Sequence, residues 1–479
     1  MSLKETISLS AMWSLINSFF LKGSVFFVSL FLARIIGPES FGLIGMITVF
    51  IYLGNIIQES GLSESIVRTQ DVTDKDLSTV FYTNIIMSIL IYGVFYISAP
   101  LIADFFEQNI LLSLVRVYCL SFILNAFSSV HIALLNQQMN FKKITLISMP
   151  SYLVGSLIGI WMALNNHGVW SIVYMNLFIR FLQSVFFWFF TNWKPSFTFS
   201  MVHFKIHYGF GYKLMLSGIV ETAFNHIYNI IIGKYFSVIQ LGYFERANSL
   251  KTYPVTTLSG IIHKVTLPLL SGLQDDKILM TAVYRKMLRI SFFIIAPTML
   301  GFAAIATPLF NIILGEEWVK AIPFFRILCL SAIFYPVHAF NVNIFKVVGR
   351  SDLFLKTVVI KKVLVFASVL ISINFGIYAL IWSTLINNVL ALFINVYFNR
   401  NLMEYSAIEQ LRDLLATTFT TVFMAFIIFQ ITSSLIEFND YLTVLISIVS
   451  GAIIYIILSY IFNKELLNTT FNLFKKKNA

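Results

Sequence analysis

An all-α integral membrane protein is the fold class this sequence predicts, with about 14 transmembrane helices, as two six-helix pseudo-symmetric halves plus two C-terminal helices. Three observations predict it. Hydrophobic residues make up 58% of the 479 and charged residues only 11%, with a mean hydropathy of +0.84, too little polar surface for a soluble globule. The apolar residues gather in runs such as 85–101, 355–371 and 442–462, close to or beyond the ~20 needed to cross ~30 Å of hydrocarbon as a helix. Short phrases also recur in the same order at an offset of about 200 residues.

In chain order, the apolar runs place spans near residues 11–36, 41–58, 78–101, 110–136, 144–164, 169–192 and 211–236. Further spans follow near 239–262, 286–311, 321–348, 354–374, 376–398, 413–435 and 441–462. The first run is too long for the apolar core of a signal peptide, and no small-residue cleavage site follows it, so it should remain as a span. Gly37, Pro38 and Gly42 build the tight turn that leads into the second.

Alternate connections carry Arg68 and Lys75; Lys142 and Lys143; Lys194 and Lys205; Lys264, Lys277, Arg285 and Lys286; Lys346, Arg350 and Lys356; Arg400 and Arg412; and Lys475 to Lys477. The intervening connections around Phe106, Asn166, Phe375 and Phe438 carry no Lys or Arg. The positive-inside rule therefore puts both termini in the cytoplasm. The net charge of +11 follows from this bias and calls for no nucleic-acid partner.

Nothing suggests an enzyme. No HExxH, GxSxG or P-loop pattern occurs, and no loop is long enough to house a soluble catalytic domain, so no metal or cofactor is expected. Asp275 and Asp276 precede a helix in a short connection and read as capping residues rather than a metal-binding pair. Cys119 and Cys329 each lie inside an apolar segment and read as packing residues.

Those cysteines nevertheless mark the repeat. RVYCLS at Arg116–Ser121 returns as RILCLS at Arg326–Ser331. LARIIGPESFGLIG from Leu32 aligns with IGKYFSVIQLGYFE from Ile232, so that Arg34 meets Lys234 and Gly42 meets Gly242. TDKDLSTVFY from Thr73 matches DDKILMTAVY from Asp275, and HGVWSIVY from His167 matches FGIYALIW from Phe375. The ordered set divides the chain into a six-helix half at 1–205, a second at 206–400, and two additional helices with a basic tail at 401–479. Six is even, so both halves enter the membrane in the same sense, and a cleft between two such halves suits alternating access.

An ionisable side chain at membrane depth costs ~2.5–3.5 kcal/mol on insertion scales and usually faces a partner or a cavity. Lys22, Arg180 and Lys251 are such cations, and Glu221 with His226 supplies the acid and imidazole. Each has a structural reading: Glu221 neutralised by Lys22 or Lys251, and Arg180 bonded to carbonyls or snorkelling. The functional reading sets three cations against one carboxylate around a cleft, whose substrate would carry anionic oxygens. Arg116 and Arg326, near the outer ends of their spans, either snorkel to headgroups or form a paired outer gate, and Arg34 and Lys234 invite the same two readings. Intramembrane asparagines such as Asn125, Asn176, Asn341 and Asn387 suit interhelical hydrogen bonds, and some would suit sugar hydroxyls.

LARIIGPESFGLIGMITVF, QLGYFERANSLKTYP, PLLSGLQDD and NVNIFKVVGRSD together resemble the polysaccharide transporter family. This is the group of Wzx-type lipid-linked oligosaccharide flippases and teichuronic or colanic acid exporters in the multidrug/oligosaccharidyl-lipid/polysaccharide superfamily. The resemblance runs across essentially the whole chain. It implies a V-shaped fold with a cationic cavity and, as substrate, an undecaprenyl-diphosphate-linked oligosaccharide carried between leaflets of the bacterial cytoplasmic membrane. The diphosphate would meet Lys22 and Lys251, and Arg180, Arg34, Arg116 and Arg326 complete the expected binding cations. Ion coupling would run through Glu221 and His226, since a protonated Glu221 no longer holds a neighbouring lysine, the alternative being uncoupled transport pulled by a polymerase that consumes the cargo outside. Membrane lipids and a polysaccharide polymerase are the further expected partners.

Two rivals make different demands. A cation-coupled multidrug antiporter would be expected to have an acidic cavity and to stop at twelve spans. A membrane-bound glycosyltransferase or polymerase would need a sizeable outer loop, and the outer loops are short.

Overall fold

The computed structural model describes residues 3–273, 276–400, 402–403, 405–435 and 437–475, apart from the side chains of 3–11, 14–15, 17–22, 261–268, 346, 471 and 473–475. Among these the secondary structure is helical, without strands. The chain forms two compact units, Met1–Gly242 and Tyr243–Ala479.

The first unit holds α1 (Leu3–Glu59), α2 (Leu62–Arg68), α3 (Asp74–Phe106), α4 (Ile110–Tyr118), α5 (Leu120–Gln137), α6 (Phe141–Leu164), α7 (Trp170–Phe190), α8 (Met201–Asn225), α9 (Ile227–Tyr235) and the start of α10 (Val238–Ser271). The rest of α10 belongs to the second unit, with α11 (Lys277–Ala304), α12 (Ala306–Ile313), a 3-10 helix (Glu316–Ala321), α13 (Ile322–Ala332) and α14 (Tyr335–Val347). Then come α15 (Ser351–Ile373), α16 (Ile377–Asn399), α17 (Ala407–Ser434), α18 (Asp440–Phe462) and α19 (Lys464–Lys475).

Every expected span falls on helix, and ten described helices are long and apolar enough to cross a membrane. The first two spans form one kinked helix, α1. Gly37 takes φ 70° and ψ 177° at the kink, and Pro38 follows, where a missing N–H costs nothing in the first turn of the continuing helix. The spans expected at 211–236, 239–262 and 354–374 are helical in α8–α9, α10 and α15. Large apolar side chains cover the outer faces, with Ile97 77% and Leu157 66% exposed, as a hydrocarbon solvent requires.

In the first unit, Leu62, Ile66, Leu77, Phe81 and Val130 bury the contact of α2, α3 and α5. At the entry to α3, Thr73 and Asp76 form a capping box: Asp76 Oδ2 accepts from the Thr73 amide at 2.8 Å and hydroxyl at 2.6 Å. Its other oxygen, Oδ1, lies 2.5 Å from His203 Nδ1 and 3.0 Å from His207 Nε2, while Ser65 Oγ is 2.8 Å from His207 Nδ1. One carboxylate thus pins the start of α8 to α3, with α2 fastened through Ser65. Asp76→Ala should lose the cap and leave buried His207 short of a partner, lowering stability by about 2–4 kcal/mol, read as a fall in Tm in detergent.

In the second unit, Tyr284, Leu288, Phe340, Ile344, Val396 and Leu414 join α11, α14, α16 and α17 in one apolar cluster. Asp413 of α17 accepts from the Arg285 guanidinium and, at 2.7 Å, from the Tyr405 hydroxyl, which fastens the first additional helix to α11. Asp276 caps α11 as expected, Oδ1 accepting from the Leu279 amide at 2.9 Å. Asp275 lies outside the described residues.

Candidate functional site

The second half of α1 ends at Glu59 because the chain turns left-handed there, with φ 47° at Ser60 and 66° at Gly61. Packing enforces the break. A Cβ on Gly61 would lie 2.6 Å from the Gly211 carbonyl oxygen, and one on Gly211 would lie 2.2 Å from that of Ser60, so α8 crosses the break backbone to backbone.

The break presents Gln58 and Glu59 to α5. Asn125 Nδ2 donates to Gln58 Oε1 at 3.0 Å and to Glu59 Oε1 at 3.1 Å, and its Oδ1 accepts from Arg180 Nη1 of α7 at 3.4 Å. One buried amide thereby links a carboxylate to a guanidinium across three helices. Arg180 is bonded to the Asn125 side-chain amide oxygen, and among the described residues it makes no direct ion pair. Sequence reading missed Glu59, which stands where an apolar run meets the polar break QESG and looks like a loop residue. It also passed over Lys361 of α15, whose Nζ donates to Asn395 Oδ1 at 3.1 Å, with Asn395 Nδ2 3.4 Å from His338 Nδ1.

The remaining expected residues are spread over both units. The Lys22 side chain lies outside the described residues. Lys251 lies part-buried on α10. Glu221 is exposed on α8 and makes no ion pair among the described residues. His226 occupies the break between α8 and α9 and stacks on Tyr52, ring centroids 5.0 Å apart. Arg34 is exposed on α1. Lys234 pairs with Glu107 at 2.8 Å, and that ammonium holds the Glu107 carboxyl below the usual range.

The repeated phrase has a repeated geometry. Arg116 packs over the Tyr96 ring at 4.3 Å and donates from Nε to the Tyr96 carbonyl at 3.5 Å. Arg326 packs over Phe429 at 5.6 Å and donates from Nε to the Ala303 carbonyl at 3.3 Å and from Nη2 to Thr307 at 3.2 Å. Each arginine therefore ties its helix to the preceding long one. Cys119 and Cys329 are both fully buried and unbridged, in keeping with a packing role.

Helices of this length and apolarity, with polar groups joined inside each unit, define a multi-pass membrane protein. Residues 31–323 match the family described as polysaccharide biosynthesis protein, and the chain belongs to that family. It is 23% identical over 311 residues to the teichuronic acid biosynthesis protein TuaB of Bacillus subtilis (strain 168), a match covering 64% of this chain and 63% of that one. It is 24% identical over 339 residues to the lipopolysaccharide biosynthesis protein WzxC of Escherichia coli (strain K12), covering 69% and 68%. The lipid II flippase MurJ, in an inward closed conformation, shares the fold with a TM-score of 0.75 at 17% identity, over 95% of this chain and 100% of that one.

Proposed function

We propose that this protein is a flippase that carries an undecaprenyl-diphosphate-linked oligosaccharide, an O-antigen, capsule or exopolysaccharide repeat unit, from the inner to the outer leaflet of the bacterial cytoplasmic membrane by alternating access. Family membership carries the reading: the family is described as polysaccharide biosynthesis protein, relatives are named for teichuronic acid and lipopolysaccharide biosynthesis, and the fold neighbour MurJ is named a lipid II flippase. Arg180 and Lys251 supply part-buried cations for the diphosphate, with Lys22 as a third on α1 and Arg34, Arg116 and Arg326 as further contacts along the route. The polyprenyl tail stays in lipid. Both termini lie in the cytoplasm, and the functional halves are residues 1–205 and 206–400 with a helix pair at 401–479. Glu221 and His226 remain the proposed coupling groups, and the protein acts as a transporter without catalysing a reaction. A polymerase that consumes the glycan outside is the proposed partner.

Translocation of a fluorescent undecaprenyl-diphosphate oligosaccharide in proteoliposomes tests this reading. The intact protein should accelerate movement, and Lys22→Ala and Lys251→Ala should each slow it at least about tenfold, the equivalent of ~1.4 kcal/mol of lost interaction. Folded protein that moves no such lipid yet exports a soluble organic cation would make it an antiporter instead.

A further inference from the structure

The second unit contains a basic pocket of about 360 Å³ that the transport reading does not use. Arg285, Lys286 and Arg289 line it from the third and fourth turns of α11, with Ile278 and Thr281 from the first two, and Glu465 and Thr469 close it from α19. Arg285 is committed to Asp413. Arg289 stands near the same carboxylate but makes no salt bridge to it, and among the described residues its Nε is buried without a hydrogen-bond partner, a cost that an acceptor in the pocket would remove. Lys286 is exposed and makes no ion pair among the described residues. Glu465, also exposed, is the one carboxylate among the lining residues, and Asp413, held by Arg285 and Tyr405, is the second that acts on this cluster, so three cations face two carboxylates and the pocket stays positive.

Two features point to the chemistry of the occupant. Planar and ammonium donors beside two threonine hydroxyls suit a tetrahedral phosphate better than a carboxylate. At the rim, Ile278 is 83% exposed, and α19 is docked by Leu466 and Leu467 against Ile290 and Phe293. An apolar lip next to a cationic recess is the surface an acyl chain follows beneath its headgroup. The pocket also lies where basic connections gather, on the side assigned to the anionic cytoplasmic leaflet.

We infer that this recess between α11 and α19 binds the phosphate of an anionic phospholipid, with Lys286 and Arg289 as ligands and the acyl chains along Ile278. The lipid seats the C-terminal helix on the body of the second unit. The proposal rests on the orientation given above but not on the cargo, so a failed transport assay leaves it standing.

The test uses the purified full chain in detergent, titrated with phosphatidylglycerol, phosphatidylcholine or inorganic phosphate, with binding read by native mass spectrometry and Tm. Phosphatidylglycerol should bind and raise Tm where phosphatidylcholine does not. Lys286→Gln should weaken its binding about fivefold and Lys286→Gln with Arg289→Gln about thirtyfold, while Glu465→Gln should tighten it. Unchanged affinity in the double variant overturns the site. If that variant is unfolded, the exposed Lys286→Gln decides alone, and unchanged affinity there counts the same way. Equal protection by millimolar inorganic phosphate, with displacement of the lipid, overturns the lipid as the source of the phosphate.

Discussion

A methyl group on Gly42 should destabilise the protein by about 3 kcal/mol, the upper end of the usual cost of overpacking. The Cβ of Gly42→Ala would lie 1.9 Å from the Val238 carbonyl oxygen, and that of Gly242→Ala would lie 1.9 Å from the Pro38 carbonyl oxygen. Both obstacles are backbone atoms, which cannot rotate away as a side chain can. The two glycines are the equivalents paired by the repeat, and each lets the other's turn approach, so they form a single reciprocal crossing. Melting curves in detergent should show both single variants well below the parent. The double variant should cost less than the sum, because the first substitution already forces the helices apart. Gly93→Ala is the control: apart from its own helix turn no atom lies within 4 Å of its Cβ, and it should stabilise the helix by ~0.5–1 kcal/mol. Equal melting of Gly42→Ala and Gly93→Ala would sink the crossing.

Loss of Arg180 should be the most damaging single change to transport. A hydrogen bond to a charged group is worth ~1.5–3 kcal/mol, so Arg180→Ala should slow translocation by about 10- to 150-fold if the guanidinium meets the diphosphate. The same variant also strips Asn125 of a donor and removes the cation nearest Glu59, so a structural explanation competes. Arg180→Ala combined with Glu59→Gln separates the two. The pair removes both charges and should restore the Tm, leaving the transport defect in place. Recovery of transport along with Tm would assign Arg180 to architecture alone.

Several features were legible because they are local. Asp276 caps α11, and Gly37-Pro38 sets the turn that appears as the kink in α1. The repeat announced Arg116 and Arg326 as a pair, and both bind a carbonyl of the preceding long helix. Their partners were not legible, since Tyr96 lies within the first half while Phe429 comes from the additional helices outside the repeat. Glu59 escaped notice for a related reason. Its neighbours in sequence are a helix end and a turn, and only Asn125 and Arg180, about 66 and 121 positions further on, make it a part-buried, hydrogen-bonded group.

By itself the sequence determined that this chain is a membrane protein built from helices, how its basic connections are distributed, and that its parts repeat. These follow from conditions satisfied within one segment: enough apolar residues to cross, and backbone groups bonded inside the helix because hydrocarbon offers no alternative. Only the tertiary structure decided which polar groups meet. It brought Asp76 to two histidines of α8, Glu59 to Asn125, and Asp413 to Arg285. Hydropathy places a residue at a depth, but the partner it finds there depends on helix rotation and close glycine crossings, which involve segments far apart in the chain.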